Sequence, residues 1–382
     1  MYPKIVDSCV FLNSFKVMKT KIYKVIGVMS GTSLDGIDCA YVSITINESS
    51  ISGLKDAVPD IKATILKAQT IPYTDKWRDK LAAAYKQTRE EIMILNNEYT
   101  EYLGGVITNF ITSHHIKDID AICSHGHTIL HQPDDGFTLQ IGNLPSLAKI
   151  IGHKVVCDFR VQDVALGGQG APLVPIGDAL LYAKYGYCLN LGGFANVSYA
   201  EQNRRLAYDI CPVNVVLNKY AKQLGRAYDD NGAFAKAGNI NSHLLEQLNS
   251  LPFYTTKPPK SLGIEWVEYY VFPLLERSKL SSLDILATFT EHIAMQLANQ
   301  FDIGSSVLVT GGGTFNGYLL ERVQKHKKVT LIVPENKLVE FKEALIFALL
   351  GVLRLENKIN TLSSVTGASY DHCSGIIYES IF

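Results

Sequence analysis

From Ile22 to Ile46 the apolar positions form two runs around a polar turn. Val25-Ile26-Gly27-Val28-Met29 is a continuous apolar run, and Cys39 to Ile44 alternates, the period of a strand with one buried face. A third strand is predicted over 61–71. The period then lengthens. Trp77, Leu81 and Tyr85, then Ile92, Leu95, Tyr99, Leu103, Ile107 and Phe110, recur every three or four residues and predict two helices over 75–114. Residues 119–123 read as a short buried strand leading into Ser124-His125-Gly126-His127-Thr128, with a hairpin partner at Phe137–Gln140. A helix is expected over 143–151, with Asn143 as N-cap and Pro145 in its first turn. Val155-Val156-Cys157 is another buried strand, delivering Asp158 into a Gly- and Pro-rich loop over 158–175.

At Tyr187 the pattern restarts. Tyr187–Leu191, the turn Gly192-Gly193 and the alternating Phe194–Tyr199 repeat the strand, small turn, strand order of the opening, and 205–208 supplies a third strand. Helices follow over 213–225, 230–239, 242–250, 265–278 and 281–301. A buried strand over 306–310 ends in Gly311-Gly312-Gly313. A helix over 316–325, a strand over 329–333 and a long apolar helix over 339–355 complete the pattern. The repetition implies a duplicated α/β chain with its site in a cleft between halves. The expected organisation is an extension over 1–21, a first α/β domain over 22–180, a second over 181–360, and a tail over 361–382 packing back on the first.

Composition narrows the classes. With 382 residues, 47% hydrophobic and 19% charged, the chain can bury a large core. A net charge of −1 argues against a broad nucleic-acid surface. No apolar run reaches the roughly 18 residues of a membrane span, and residues 1–21 lack the continuous apolar stretch of a signal peptide. The seven cysteines include no C-x-x-C pair. Buried free thiols and a cytoplasmic location are expected.

Candidate chemistry gathers at the turns. Gly31, Thr32, Ser33, Leu34, Asp35, Gly36, Ile37 and Asp38 bring small side chains, hydroxyls, exposed amides and two carboxylates, as a phosphate-cradling loop requires. Gly192, Gly193 and Asn196, and then Gly311, Gly312 and Gly313, repeat the theme. Thr314 or Asn316 can cap the helix that follows. The chain has no G-x-x-x-x-G-K-[ST] loop and no protein-kinase motif set, so nucleotide binding would need another architecture. Asp158, at the carboxyl end of a buried strand, reads as a general base that Arg160 could keep ionised, or as one half of an Asp–Arg pair closing a loop. Asp163 and Glu265 are the other candidates, and Glu265 equally suits a helix first turn. His125, His127 and Thr128 offer polar contacts to a sugar or a peptide-like group, or are solvent-facing loop residues. The spacing of His125, His127 and His131 does not favour a metal. Asp209 reads as a contact to phosphate-bound magnesium or a helix cap.

Taken together, these motifs resemble the anhydro-N-acetylmuramic acid kinase family from about Tyr23 to Tyr378. The matching pieces include Gly27–Asp38, Ser124–Thr128 with His131-Gln132-Pro133, Asp158-Phe159-Arg160-Val161-Gln162-Asp163, Gly167–Pro175, Leu189–Asn196, Lys260–Glu265, Val309–Gly313 and Lys342–Ala348. The resemblance implies a two-domain actin/hexokinase/Hsp70-like (ribonuclease H-like) duplicated α/β fold, with ATP in the interdomain cleft. It implies ATP-dependent conversion of 1,6-anhydro-N-acetylmuramic acid and water to N-acetylmuramic acid 6-phosphate in peptidoglycan recycling. Asp158 would activate the water and Glu265 would orient sugar or water. His125, His127, Thr128, Arg160 and Asp163 would meet the sugar. Gly31–Asp38, Gly192, Gly193, Asn196, Gly311–Gly313 and Asn316 would hold the nucleotide. Magnesium would be held mainly through the phosphates, with Asp35, Asp38 or Asp209 as protein ligands, and a homodimer stays open. The chain departs from the family pattern at His127, where Gln is usual, and at Ile210, Cys211, Asn218 and Ile264. Those departures leave open another amino- or anhydro-sugar, or a nucleotide-binding sensor of the same fold.

Overall fold

The computed structural model describes residues 18–31, 33–49, 60–202 and 204–380. Thr32 and residues 1–17 of the expected extension lie outside them. Two β-sheets carry the architecture. The first contains β1 (Met18–Ser30), β2 (Gly36–Ser49), β3 (Asp60–Pro72), β4 (Ala121–Gln132), β5 (Phe137–Ile141) and β6 (Val155–Cys157). The second contains β7 (Tyr187–Leu191), β8 (Phe194–Glu201), β9 (Arg204–Pro212), β10 (Ser306–Thr310) and β11 (Thr330–Ile332). Their orders are β6-β4-β1-β2-β3 and β11-β10-β7-β8-β9. In each, the first three strands form an antiparallel meander, and two later strands extend the first strand's edge in parallel, β4 and β6 in the first sheet and β10 and β11 in the second; β5 adds antiparallel to β4. The duplication read from the repeated pattern is therefore real in topology. The chain returns to the first sheet through β12 (Ile376–Tyr378), antiparallel to β6.

Strand alternation sorts the first sheet into two cores. Val25, Ala40, Val42 and Ile44 pack on one face against the helix Asn336–Leu355. Ile26, Val28, Cys39 and Tyr41 pack on the other against Leu95, Tyr99, Leu103 and Ile107 of the helix Arg89–Ser113. The helix Asn336–Leu355, expected with the second half, thus lies on the first sheet. Glycines permit that contact. A Cβ on Gly27 would sit 1.8 Å from the Ala344 carbonyl oxygen, and one on Gly351 would sit 2.1 Å from Cys123 Sγ. The helix also reaches the second half, where Gly311 N donates to Val339 O at 3.4 Å.

Two local expectations change. Ser124–Thr128 does not follow a strand but continues β4, which runs to Gln132. The helix expected from 143 starts at Ser146 with Pro145 at its N-cap, so Asn143 does not cap it. Among the described residues, no helix is long and apolar enough to cross a membrane. The six described cysteines are free thiols, all buried except the half-buried Cys373.

Candidate active site

β1, β4 and β6 run parallel and end on the same edge, where the first group of side chains collects. Asp158 is the first residue beyond β6. Its φ of 57° is left-handed, a costly conformation for a residue with a Cβ. Its Oδ1 accepts from Asn143 Nδ2 at 3.0 Å. Burial raises its carboxyl above the usual carboxylate range, and the Asn143 hydrogen bond partly opposes that rise. The expected Asp158–Arg160 pair does not form. Arg160 turns instead to His125, donating from Nε to Nε2 at 2.8 Å, and to Gly170 O at 2.6 Å.

That contact defines the His125 tautomer. Its Nε2 accepts from a guanidinium, so its Nδ1 carries the proton and donates to Gly126 O at 2.9 Å. Burial and the adjacent Arg160 charge hold the His125 pKa well below its ordinary value. His127, two residues along β4, points to the opposite face, because the left-handed Gly126 breaks the alternation: His125 stacks on Phe347, whereas His127 meets Tyr73 and Tyr99. The parallel register sets it beside Ser30, whose Oγ lies 2.8 Å from His127 Nδ1. A buried chain continues from Ser30 Oγ to Tyr73 OH at 2.7 Å and on to Tyr99 OH at 2.6 Å. Burial lowers His127 to about 4, so this chain is neutral. It braces Ser30, the residue from which the Gly31–Asp38 turn springs. Thr128 is half-buried beside Gln140.

Asp163 lies apart from this surface. It is fully buried and accepts from Gly170 N and Thr366 Oγ1, both at 2.7 Å. It fastens the 158–170 loop to the tail, and the expected direct sugar contact gives way to that role.

The turn between β1 and β2 projects Ser33 and Asp35 into solvent, and Leu34 has a φ of 59°. Ile37 is buried in the core. A Cβ on Gly36 would meet Ile71 O at 2.5 Å, so the turn demands glycine there. Asp38 accepts from Thr70 at 2.6 Å, and its carboxyl is raised by burial and by Asp35 and Glu340. Glu343 was not among the residues expected from the sequence. It follows a break in helical geometry at Phe341, is exposed, and feels the charges of Arg160 and Asp38. Loss of surrounding water raises its carboxyl, Arg160 opposes this and Asp38 adds to it. Its placement beside groups about 180 and 300 residues earlier in the chain has no local signal.

On the second sheet, Asn190, Asn196 and Asp209 stand in register across β7, β8 and β9, as Met29, Asp38 and Thr70 do across β1, β2 and β3. Asn196 is exposed; Asp209 accepts from Leu262 N at 2.8 Å, anchoring the segment that leads to Glu265. Gly311–Gly313 lies against the end of β7, where a Cβ on Gly313 would sit 2.9 Å from the Leu191 Cβ. Gly311 has a φ of 83°, and a Cβ there would meet Asn190 Oδ1 at 2.6 Å, whereas Gly312 faces open space. Asn316 caps the helix Gly317–His326, its oxygen accepting from Leu319 N at 3.0 Å. Glu265 is exposed in a short helix Ile264–Trp266, its carboxylate folded over Gly263. No contact joins it to Asp158 among the described residues.

Two halves with the same strand order, each with a glycine turn between its first two strands, define the duplicated α/β fold of the actin/hexokinase/Hsp70-like class. The chain belongs to the anhydro-N-acetylmuramic acid kinase family, whose model matches residues 23–380. It is 36% identical over 376 residues to the anhydro-N-acetylmuramic acid kinase of Pseudomonas fluorescens (strain Pf0-1), covering 92% of this chain and 98% of that protein. The enzyme of the same name from Pseudomonas syringae pv. tomato is 33% identical over 375 residues, with the same coverage. Among solved structures, xylulose kinase from Lactobacillus acidophilus aligns at 11% identity and a TM-score of 0.39, covering 86% of this chain and 89% of that one. The fold assignment rests on the duplicated topology, not on that likeness.

Proposed function

We propose that this protein converts 1,6-anhydro-N-acetylmuramic acid, ATP and water to N-acetylmuramic acid 6-phosphate and ADP, within peptidoglycan recycling in the cytoplasm. Family membership supports the substrate, and the cysteine pattern supports the compartment. The observation that carries the chemistry is Asp158: a strained, half-buried carboxylate with a raised pKa at the carboxyl edge of a parallel β-strand pair.

In this reading Asp158 takes a proton from water as the water oxygen bonds to the anomeric carbon. The bond from that carbon to O6 breaks, and O6 takes the γ-phosphoryl group. Arg160, tied through Nε and one terminal nitrogen, keeps the other terminal nitrogen without a partner among the described residues and directs it at developing negative charge. Glu343 faces the same space and orients water or sugar. The amides of Gly31–Asp38 hold the β- and γ-phosphates, and Gly311–Gly313 give the adenosine a surface free of side chains. Glu265 closes on the sugar only if the halves approach each other.

The described residues contain no group of three side chains that could hold a metal. Asp38 and Asp209 nevertheless each keep one oxygen without a partner among the described residues, and burial raises both carboxyls. That suits ligands to a cation carried in on phosphates. Asp38 and Asp209 would hold magnesium there, and the ion would supply neutralisation of phosphate charge.

The test is purified protein with ATP, magnesium and 1,6-anhydro-N-acetylmuramic acid, followed by phosphorus NMR and mass spectrometry. A 6-phosphate formed in step with ADP supports the proposal, and an unchanged sugar refutes it. Of the departures from the family pattern, Ile210 and Cys211 are buried in β9 and alter its packing rather than a ligand surface.

A further inference from the structure

Asn143 is buried, 5% exposed, and sits between β5 and the helix Ser146–Ile151 without capping that helix. Its Nδ2 donates to two acceptors, Asp158 Oδ1 at 3.0 Å and His125 O at 3.2 Å. A carboxylate and a carbonyl oxygen can only accept, so the amide orientation is determined: a flipped amide would set oxygen against oxygen at both contacts. Gly126 makes room for it, since a Cβ there would lie 2.9 Å from both amide heteroatoms. Asn143 also receives Cys157 Sγ on its backbone oxygen at 3.7 Å. It is thus wedged against the end of β6, where the chain turns into the left-handed Asp158.

We infer that Asn143 is the positioning residue of the base: its amide clamps Asp158 Oδ1 in the ionised state and leaves Oδ2 to take the proton from water. This rests on the reading of Asp158 as general base. The other titratable groups facing Asp158 are Cys157 and Tyr378, both with pKa values raised above their ordinary ranges and hence neutral. Arg160, two residues along, is turned to His125 and Gly170. The neutral amide therefore does the work usually given to a cation. It supports the anion without a counter-charge that would quench its basicity.

Two variants test this, each read by the pH dependence of kcat/KM and by carbon-13 NMR titration of the Asp158 carboxyl, identified by its loss in Asp158→Asn. Asn143→Leu removes the donor. It is expected to lower kcat about tenfold to a hundredfold with the KM for ATP unchanged, and to move the acid limb and the carboxyl titration to higher pH. Asn143→Asp is nearly isosteric and keeps the fold if leucine does not. It sets two carboxyls over one proton, so activity near pH 6 falls further than activity near pH 9. A carboxyl titration that stays in place in both variants overturns the inference, whatever the base. A carboxyl that moves while the kinetic profile does not upholds the clamp and rejects Asp158 as the base.

Discussion

Asp158 and Asn143 are fifteen residues apart in sequence and one hydrogen bond apart in space. The position of Asp158 was legible, because three apolar residues followed by Asp describe a carboxylate at the end of a buried strand. Its partner was not. Asn before Leu-Pro-Ser reads locally as a helix cap, and only the antiparallel return of β5 along β4 brings its amide to β6. Arg160 misleads for the same reason: adjacency suggests a pair with Asp158, but His125, 35 residues away, offers a better-placed acceptor. Asp158→Asn is expected to lower kcat by about 10²–10⁴-fold while nucleotide affinity, measured by calorimetry, stays within about twofold. His127 makes a second residue-scale prediction. Its folded pKa of about 4 lies below the unfolded value near 6.5, so the unfolded chain binds the extra proton between those values. Stability is full above pH 6.5 and falls as pH drops toward 4, by roughly 3 kcal/mol from this group. His127→Gln should flatten the melting temperature against pH across that window, and an equally steep curve would count against the buried neutral imidazole.

At the scale of elements, strand and helix periods located most of the secondary structure, and the repeated meander disclosed the duplication. The helix Asn336–Leu355 escaped because its apolar surface says that it is buried but not against which sheet. The deciding signals are Gly27 and Gly351, which look like ordinary glycines until the helix backbone is laid on them. Gly27→Ala puts a methyl carbon into the Ala344 carbonyl and should cost roughly 2–3 kcal/mol, read as a lowered urea midpoint. Because Glu343 precedes Ala344, kcat should fall as well. An unchanged midpoint would remove this contact from the account.

Over the whole molecule, the tail ties the halves together. Thr366 holds Asp163 in the 158–170 loop, Ser374 Oγ donates to Phe159 O at 2.5 Å, and Ser364 Oγ donates to Arg205 O of β9 at 2.8 Å. The sequence suggested a tail packing back on the first half, but not these partners nor the bond to β9, since the contacts span more than 150 residues. Thr366→Val leaves a buried Asp163 oxygen short of a donor, a loss of about 1–3 kcal/mol. It should speed amide exchange through residues 158–170 and lower kcat without changing the KM for ATP. Unaltered exchange in that loop would show that the tail does not hold it. The central claim is that water opens the sugar bridge while the γ-phosphoryl group passes to O6. The most direct measurement is a single turnover in ¹⁸O-water with mass-spectrometric location of the label. One ¹⁸O at the anomeric hydroxyl and none in the phosphate is the predicted result. Label in inorganic phosphate beside an intact anhydro-sugar would contradict it.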